Sequence, residues 1–456
     1  MRANFIAATL LAALMAGCLE SNPSAGAPGN PAPIGTFGGA VTPERLPVPA
    51  FDFTKAIQFT HASQLGHSDL TLHKGEHGLK LVGYNPLTRP GAGEGPAEQG
   101  SSYIAIDTWQ NYVCVAQFTG LGGAIIVDIK DPAKPAVLSS VPSGMSNSDC
   151  QFTDDGKYLL VAAYSGTHAG VAGVPPPAGD FQAQGVAVFD VTDKKNPKFL
   201  FHDSQSAGAN GYHNVFTAQI DGTHYVFQTY TGNILALEPG ATKLKMVSKV
   251  EKADHDIWVG KHPVSGDWIM ITGHGRGACI YDVSDPAKPI LLDAWEVHDD
   301  QTGWHRQWPL AQTVDGRALM VVAGEYDRGW HTVLDFTDPN DIVELGKWEI
   351  PGRPNAGSTT FSPHEFETFD GYVATGNYHG GVWLFDIGSL ERAKDPVTLG
   401  FYEPHENPHT QGGTWNKPGG SMPNTWGAYF DERGYVVVAD SFSGLYVLSF
   451  GATKAA

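Results

Sequence analysis

Short apolar runs separated by polar turns make up most of this chain, and one arrangement of runs keeps returning. Its clearest copy is Gly122 to Ser140, GGAIIVDIKDPAKPAVLSS. An apolar run opened by glycine ends in Asp128, a proline-containing turn follows, and a second apolar run begins. Further copies are Gly185 to Phe201, Gly277 to Ala294, Trp330 to Trp348 and Gly380 to Tyr402, with marker aspartates Asp190, Asp282, Asp335 and Asp386. Two degraded copies lie at Gly232 to Met246 and Gly444 to Phe450. Runs of this length, bounded by Gly, Pro and Asp, predict strands.

A second hairpin precedes each copy. Cys150 to Tyr164 turns at Asp154-Asp155-Gly156, His213 to Thr229 at Asp221-Gly222, His305 to Gly324 at Asp315-Gly316, and Phe361 to Asn377 at Phe369-Asp370-Gly371. Asp-Gly between apolar runs is a strong hairpin signal. Each repeat therefore reads as a four-stranded antiparallel meander, A to D. Seven such repeats begin near Tyr103, Asp149, Tyr212, Asp254, Trp304, Pro363 and Thr425. A period of roughly 40–60 residues built only of strands predicts an all-β fold, a seven-bladed β-propeller. The last repeat lacks strand D. Upstream, Leu79 to Pro86 (LKLVGYNP) matches Val397 to Pro404 (VTLGFYEP), the D strand of repeat six. The N-terminal strand is thus expected to close the ring, giving a propeller over 79–451 and removing a free sheet edge.

The copies resemble the LVIVD repeats of extracytoplasmic β-propeller lipoproteins. Ile125 to Ile129 (IIVDI) nearly spells the motif, and D-[IVF]-[TSK]-D-P-x-K-P recurs after it. The likeness covers about Tyr103 to Phe450. It implies a propeller at the cell surface and implies no reaction.

The N-terminus adds an address. Arg2, an apolar run from Phe5 to Ala16, and Met15-Ala16-Gly17-Cys18 predict a signal peptide over 1–17 with lipidation of Cys18. The apolar run is too short to span a bilayer. Residues 18–50, rich in Ser, Asn, Pro, Gly and Ala, read as a flexible tether, and 51–78 as a histidine-containing leader. The expected location is the extracytoplasmic side of the cell membrane, held by the lipid anchor alone. A net charge of −19 argues against nucleic acid and anionic lipid as partners. Beyond Cys18, an odd set remains: Cys114, Cys150 and Cys279. The fold is therefore not a disulfide scaffold, although Cys114 and Cys150 lie in successive repeats where they could pair. A monomer is expected.

A meander places A–B and C–D turns on one face and B–C loops and D–A crossings on the other. The former are short Asp-Gly and Asp-Pro-Ala-Lys-Pro turns with a structural job. The latter are long: Ser165 to Gln184, His298 to Trp304 and Glu403 to Asn424. Binding sites favour such loops. At the head of strand A, repeats one to seven offer Ile104, Cys150, His213, His255, His305, His364 and Trp426. Four consecutive histidines at one channel mouth suit zinc, copper or iron. His213, His255, His305 and His364 are the expected metal ligands. Histidines at that position also suit simple hydrogen bonding to a neighbouring blade's backbone.

Around them, Cys150, His274, Arg276, Tyr326 and His379 are the candidate ligand-binding residues, within a wider set that includes Tyr164, Tyr230, Glu325 and Arg328. His61, His67, His73, His77, His405 and His409 read as polar surface, with a lid over this face as the alternative. No phosphate loop, CxxC, HExxH or GxSxG is present. Three functions fit: a binding or scaffold propeller with an axial metal or small-ligand site, a metal-dependent oxidoreductase or hydrolase at the same histidines, and a metal-free module. The partner on the long-loop face is then a small molecule, a glycan or a surface protein.

Overall fold

Seven antiparallel sheets account for the repeats. The computed structural model describes residues 40–41, 44–56, 75–87, 103–118, 122–141, 147–163, 184–204, 212–275, 277–296, 304–325, 329–353, 361–404, 423–441 and 443–454. All of them fall within residues 32–456. In blades one to six the strands A to D are neighbours in chain order. The A strands are Tyr103–Trp109, Asn147–Phe152, Val215–Ile220, Ile257–Lys261, Trp304–Pro309, Phe366–Phe369 and Thr425–Phe430. Two N-terminal strands, β1 (Glu76–His77) and β2 (Lys80–Asn85), join the ring late. β2 supplies the missing strand of blade seven, pairing from Lys80↔Ser449 to Asn85↔Leu445, as its sequence match predicts. β1 adds a fifth strand outside blade six.

Neighbouring blades stack face to face, so strands B and C are covered on both sides. This is why strand C is apolar along its whole length rather than alternating: Val382–Asp386 and Asn233–Leu237 are buried throughout. The core consists of the layers between blades. Ile104 and Ile126 of blade one meet Phe152 and Leu159 of blade two, for example, and Ile125 and Val127 meet Val437 and Val447 of blade seven. The marker aspartate ends strand C because its carboxylate caps the next turn. Asp128, Asp190, Asp282, Asp335 and Asp386 accept from the backbone N–H two residues on, at 2.7–3.0 Å. The outer strand carries one extra residue in every blade: Leu138, Leu200, Val247, Leu292, Leu345, Leu399 and, in the closing strand, Val82. A β-bulge twists an exposed edge away from pairing with another chain.

Two expectations need correction. The tether boundary at residue 50 lies too late, because residues 40–41 and 44–56 already pack on the propeller. Ala40 bridges Thr313. Arg45 lies over the Tyr372 ring at 3.9 Å and pairs with the buried Asp386 at 2.6 Å. Phe53 enters the core beside Trp383 and Phe401. Composition hid this, since one arginine and one phenylalanine carry the contact. The second concerns Cys150, expected to bind ligand: it is joined in a disulfide to Cys114 of blade one, the pairing the sequence left open. Cys279 is a free, buried thiol.

Candidate metal centre

Strand A is the innermost strand, and its free edge faces the strand A of neighbouring blades. The backbone groups along that edge still need partners. They find side chains from the next blade. Asp107 accepts from the Phe152 N–H at 2.8 Å, Asp149 from Val215 at 3.0 Å, Asp154 from Gln219 at 2.7 Å and Glu367 from Phe430 at 2.6 Å. Threonine hydroxyls serve the carbonyls: Thr108 donates to Phe430, Thr217 to Phe152 and Thr368 to Pro309. Most polar side chains of the channel thus hold the blades together. Burial pushes the Asp107 carboxyl up to about 7 and Glu367 up to about 8.

At the long-loop mouth the lining changes to rings. Their centroids follow one another from His213 to His255 at 4.6 Å, on to His305 at 3.9 Å, to His364 at 4.1 Å and to Trp426 at 4.6 Å. The backbone explains the aim. His305 and Trp426 are bulge residues at the head of strand A, skipped by the pairing with strand B. A bulge re-aims a side chain, here toward the axis. In blade two the skipped residue is Ser148, not Cys150. The expected rim position is therefore two residues out in that blade. Cys150 is fully buried and bonded to Cys114, so it offers no thiolate to the mouth.

The rim also clasps blade to blade. Ser148 donates to the His213 carbonyl, the His255 Nδ1 lies 3.0 Å from the His305 carbonyl, and the His364 Nδ1 lies 3.1 Å from that of Trp426. The hydrogen-bonding role considered for these histidines is therefore real for two of them. It leaves Nε2 as their remaining donor atom. Among the described residues, the atoms close enough to share one ion belong to His255, Asp256 and His305, all within 4.8 Å of one another. His213 and His364 flank that group.

Asp256 does not stand out in the sequence. It is 2% exposed and holds φ at +38°, an uncommon conformation for a non-glycine residue. Each rim histidine is followed by a polar residue: Asn214, Asp256, Arg306 and Glu365. That pattern was the available signal.

Charge is uneven around the rim. Burial works against a charge on His255, but the Asp256 carboxylate 3.3 Å from its Nδ1 outweighs burial and raises its pKa. Asp256 is in turn held below the usual carboxylate range, against its burial, by His255 and by Arg306 at 3.1 Å. Burial, reinforced by the charge at His255, pushes His213 and His305 far below the ordinary value and His364 down to about 3. Three of the four imidazoles are thus neutral, the form a metal requires.

Of the other expected residues, His274 stands half-exposed at the blade-four corner, 2.8 Å from Asp254. His379 is buried, with its Nδ1 on the Pro423 carbonyl, where it ties blade six to blade seven. Tyr230 is 41% exposed beside His213, and its φ of +59° matches the positive φ of Tyr378 at the blade-six corner. His77 stacks on Phe51 at 4.0 Å. Cys18, His61, His67, His73, Tyr164, Arg276, Tyr326, Arg328, His405 and His409 lie outside the described residues.

The family model of the LVIVD repeat matches residues 106–142 and 258–295. The chain carries LVIVD repeats. Each match runs from within strand A to the end of strand D, so one LVIVD repeat is one blade, here blades one and four. No curated protein matches the chain. Among solved structures, the crystal structure of Saccharomyces cerevisiae Sqt1 is similar to this LVIVD propeller at a TM-score of 0.45. The two are 12% identical, over 78% of this chain and 83% of that one.

Proposed function

We propose that this protein is an extracytoplasmic binding propeller whose axial site holds a transition-metal ion. His255, Asp256 and His305 are the ligands, with His213 and His364 beside them. One observation carries the reading: imidazoles from four consecutive blades ring one mouth, and three donor groups there fall within 4.8 Å. Two imidazoles and a carboxylate suit iron, zinc or copper, and do not suit calcium or magnesium. Asp256 already serves Arg306 and His255, so it would bind an ion as a shared carboxylate. The Cys114–Cys150 disulfide supports an oxidising compartment, in line with the signal and lipidation motif at Cys18.

Elemental analysis after loading with zinc, copper or iron tests the site. The expected result is one equivalent of metal in the parent, none in His255→Ala, and an unchanged amount in His168→Ala, a change in the long Ser165 to Gln184 stretch of blade two. No metal under any loading, or equal loss in both variants, leaves a metal-free propeller that binds through its loops. A three-ligand set also leaves coordination positions open, as a catalytic metal needs. Metal-dependent oxidoreductase or hydrolase chemistry is therefore the second reading, and turnover that disappears on chelation would establish it. For the anchor, Cys18→Ser should move the protein from the membrane to the soluble fraction, and a variant still on the membrane would count against lipidation.

A further inference from the structure

His305 breaks the rule that its neighbours follow. Ser148, His255 and His364 each reach the backbone carbonyl of the next blade. His305 occupies the same position in blade five, yet its Nδ1 is buried with no hydrogen-bond partner among the described residues. The residue is 4% exposed. A buried polar atom left unsatisfied bears the full cost of its lost hydration, so its persistence points to an occupant that this nitrogen serves.

The opposite side of the ring supplies the rest. The His305 Nε2 lies 4.0 Å from Glu325 Oε2. Glu325 follows strand B of blade five directly and is 7% exposed. Its other oxygen accepts from the Tyr378 hydroxyl. Tyr378 is itself fixed by paired backbone bonds with Thr425, at 2.9 and 3.0 Å, across the blade-six to blade-seven junction. The carboxylate is thus held from behind, with one oxygen turned to the imidazole. Contacts of this kind start long and tighten when a site is filled.

We infer that Glu325, oriented by Tyr378, is a positioning residue that keeps the His305 proton on Nε2 and presents the Nδ1 lone pair to the axial ion. A carboxylate behind a ligating imidazole fixes its tautomer and raises its basicity. This assignment rests on the metal reading above, but the tautomer can be tested without metal.

Ring ¹⁵N NMR of the metal-free protein, with the His305 signal identified by its loss in His305→Ala, should show hydrogen on Nε2 and a bare Nδ1. Glu325→Ala should abolish that preference. Zinc titration in competition with a chelator should show a roughly 10–100-fold loss of affinity in Glu325→Ala and a smaller loss in Tyr378→Phe. A parent His305 protonated on Nδ1 overturns the inference, whether or not the variants fold. So does parental zinc affinity in Glu325→Ala. An Nε2–H tautomer in a parent that binds no zinc would remove the metal and keep Glu325 as the residue that sets His305.

Discussion

The two ends of the central channel are built from the same seven strands and do different things. At the short-turn end, carboxylates of strand A and of its following turn reach sideways: Asp107, Asp154 and Glu367 each cap a backbone N–H of the next blade. At the long-loop end the side chains at the heads of these strands are rings, and among the described residues the buried His305 Nδ1 and Trp426 Nε1 have no hydrogen-bond partner. Polarity in a propeller channel is thus not in itself a sign of function. It is first the answer to an unpaired inner edge. What sets the long-loop mouth apart is the gathering of four imidazoles around Asp256.

Arg306 joins the two ends, and removing it should have the largest effect. Its guanidinium donates to Asp256 and to the Phe366 carbonyl and lies over Trp308. Arg306→Met strands a buried carboxylate and should cost about 3–5 kcal/mol in urea unfolding. A loss under about 1 kcal/mol, the range of an exposed pair, would mean the two ends are not linked through this residue.

His364 at one end and Glu367 at the other should also respond to pH in opposite senses. At the rim, His364 has a folded pKa of about 3, below its ordinary value, so its contribution is intact above about pH 6.5 and fades as pH falls toward 3. At the other end, Glu367 at about 8 binds its proton more tightly folded than unfolded, so its contribution is full below about pH 4 and fades as pH rises toward 8. Each tenfold difference in proton affinity between the folded and unfolded chain is worth about 1.4 kcal/mol. Glu367→Gln should therefore flatten the fall in melting temperature on the alkaline side and leave the acid limb untouched. A parallel displacement of both limbs would contradict the division.

Smaller again is the stability change expected for His305→Ala, which should abolish zinc binding and leave the urea midpoint close to the parent. Glu367→Gln should do the reverse, keeping zinc and changing stability. If both variants lose zinc, the ends are not separable. The least effect is expected at His274, whose exposed pairing with Asp254 is worth at most about 1 kcal/mol. His274→Ala should leave zinc affinity and melting unchanged, and a loss of zinc would bring that corner into the site.

Much of this was written in local pattern. Glycine, the apolar run and Asp128 already specify a strand and a capped turn, because the Asp carboxylate bonds a backbone two residues away. The likeness of LKLVGYNP to VTLGFYEP already pointed to the closing strand, and four histidines at the head of four strands already pointed to the arc. Arg45 and Phe53 were not legible as anchors, since a single cation or ring shows no periodicity. Nor was Cys150, because a bulge at Ser148 moved the rim position by two residues, and bulges leave no reliable mark in the apolar pattern.

The repeated strands of the blades, their order and the ring they close can be read from the chain. They follow from contacts between residues near in sequence and from a repeat that each blade satisfies alike. The chemistry at the mouth is settled in three dimensions. That Asp256 is paired with His255 and Arg306, that Cys150 is joined to Cys114, and that the His305 Nδ1 has no partner among the described residues depend on how one blade meets the next. Repeats that are alike in sequence differ there because each inner edge meets a different neighbour. Which donor is left over is known only once all seven edges have been paired.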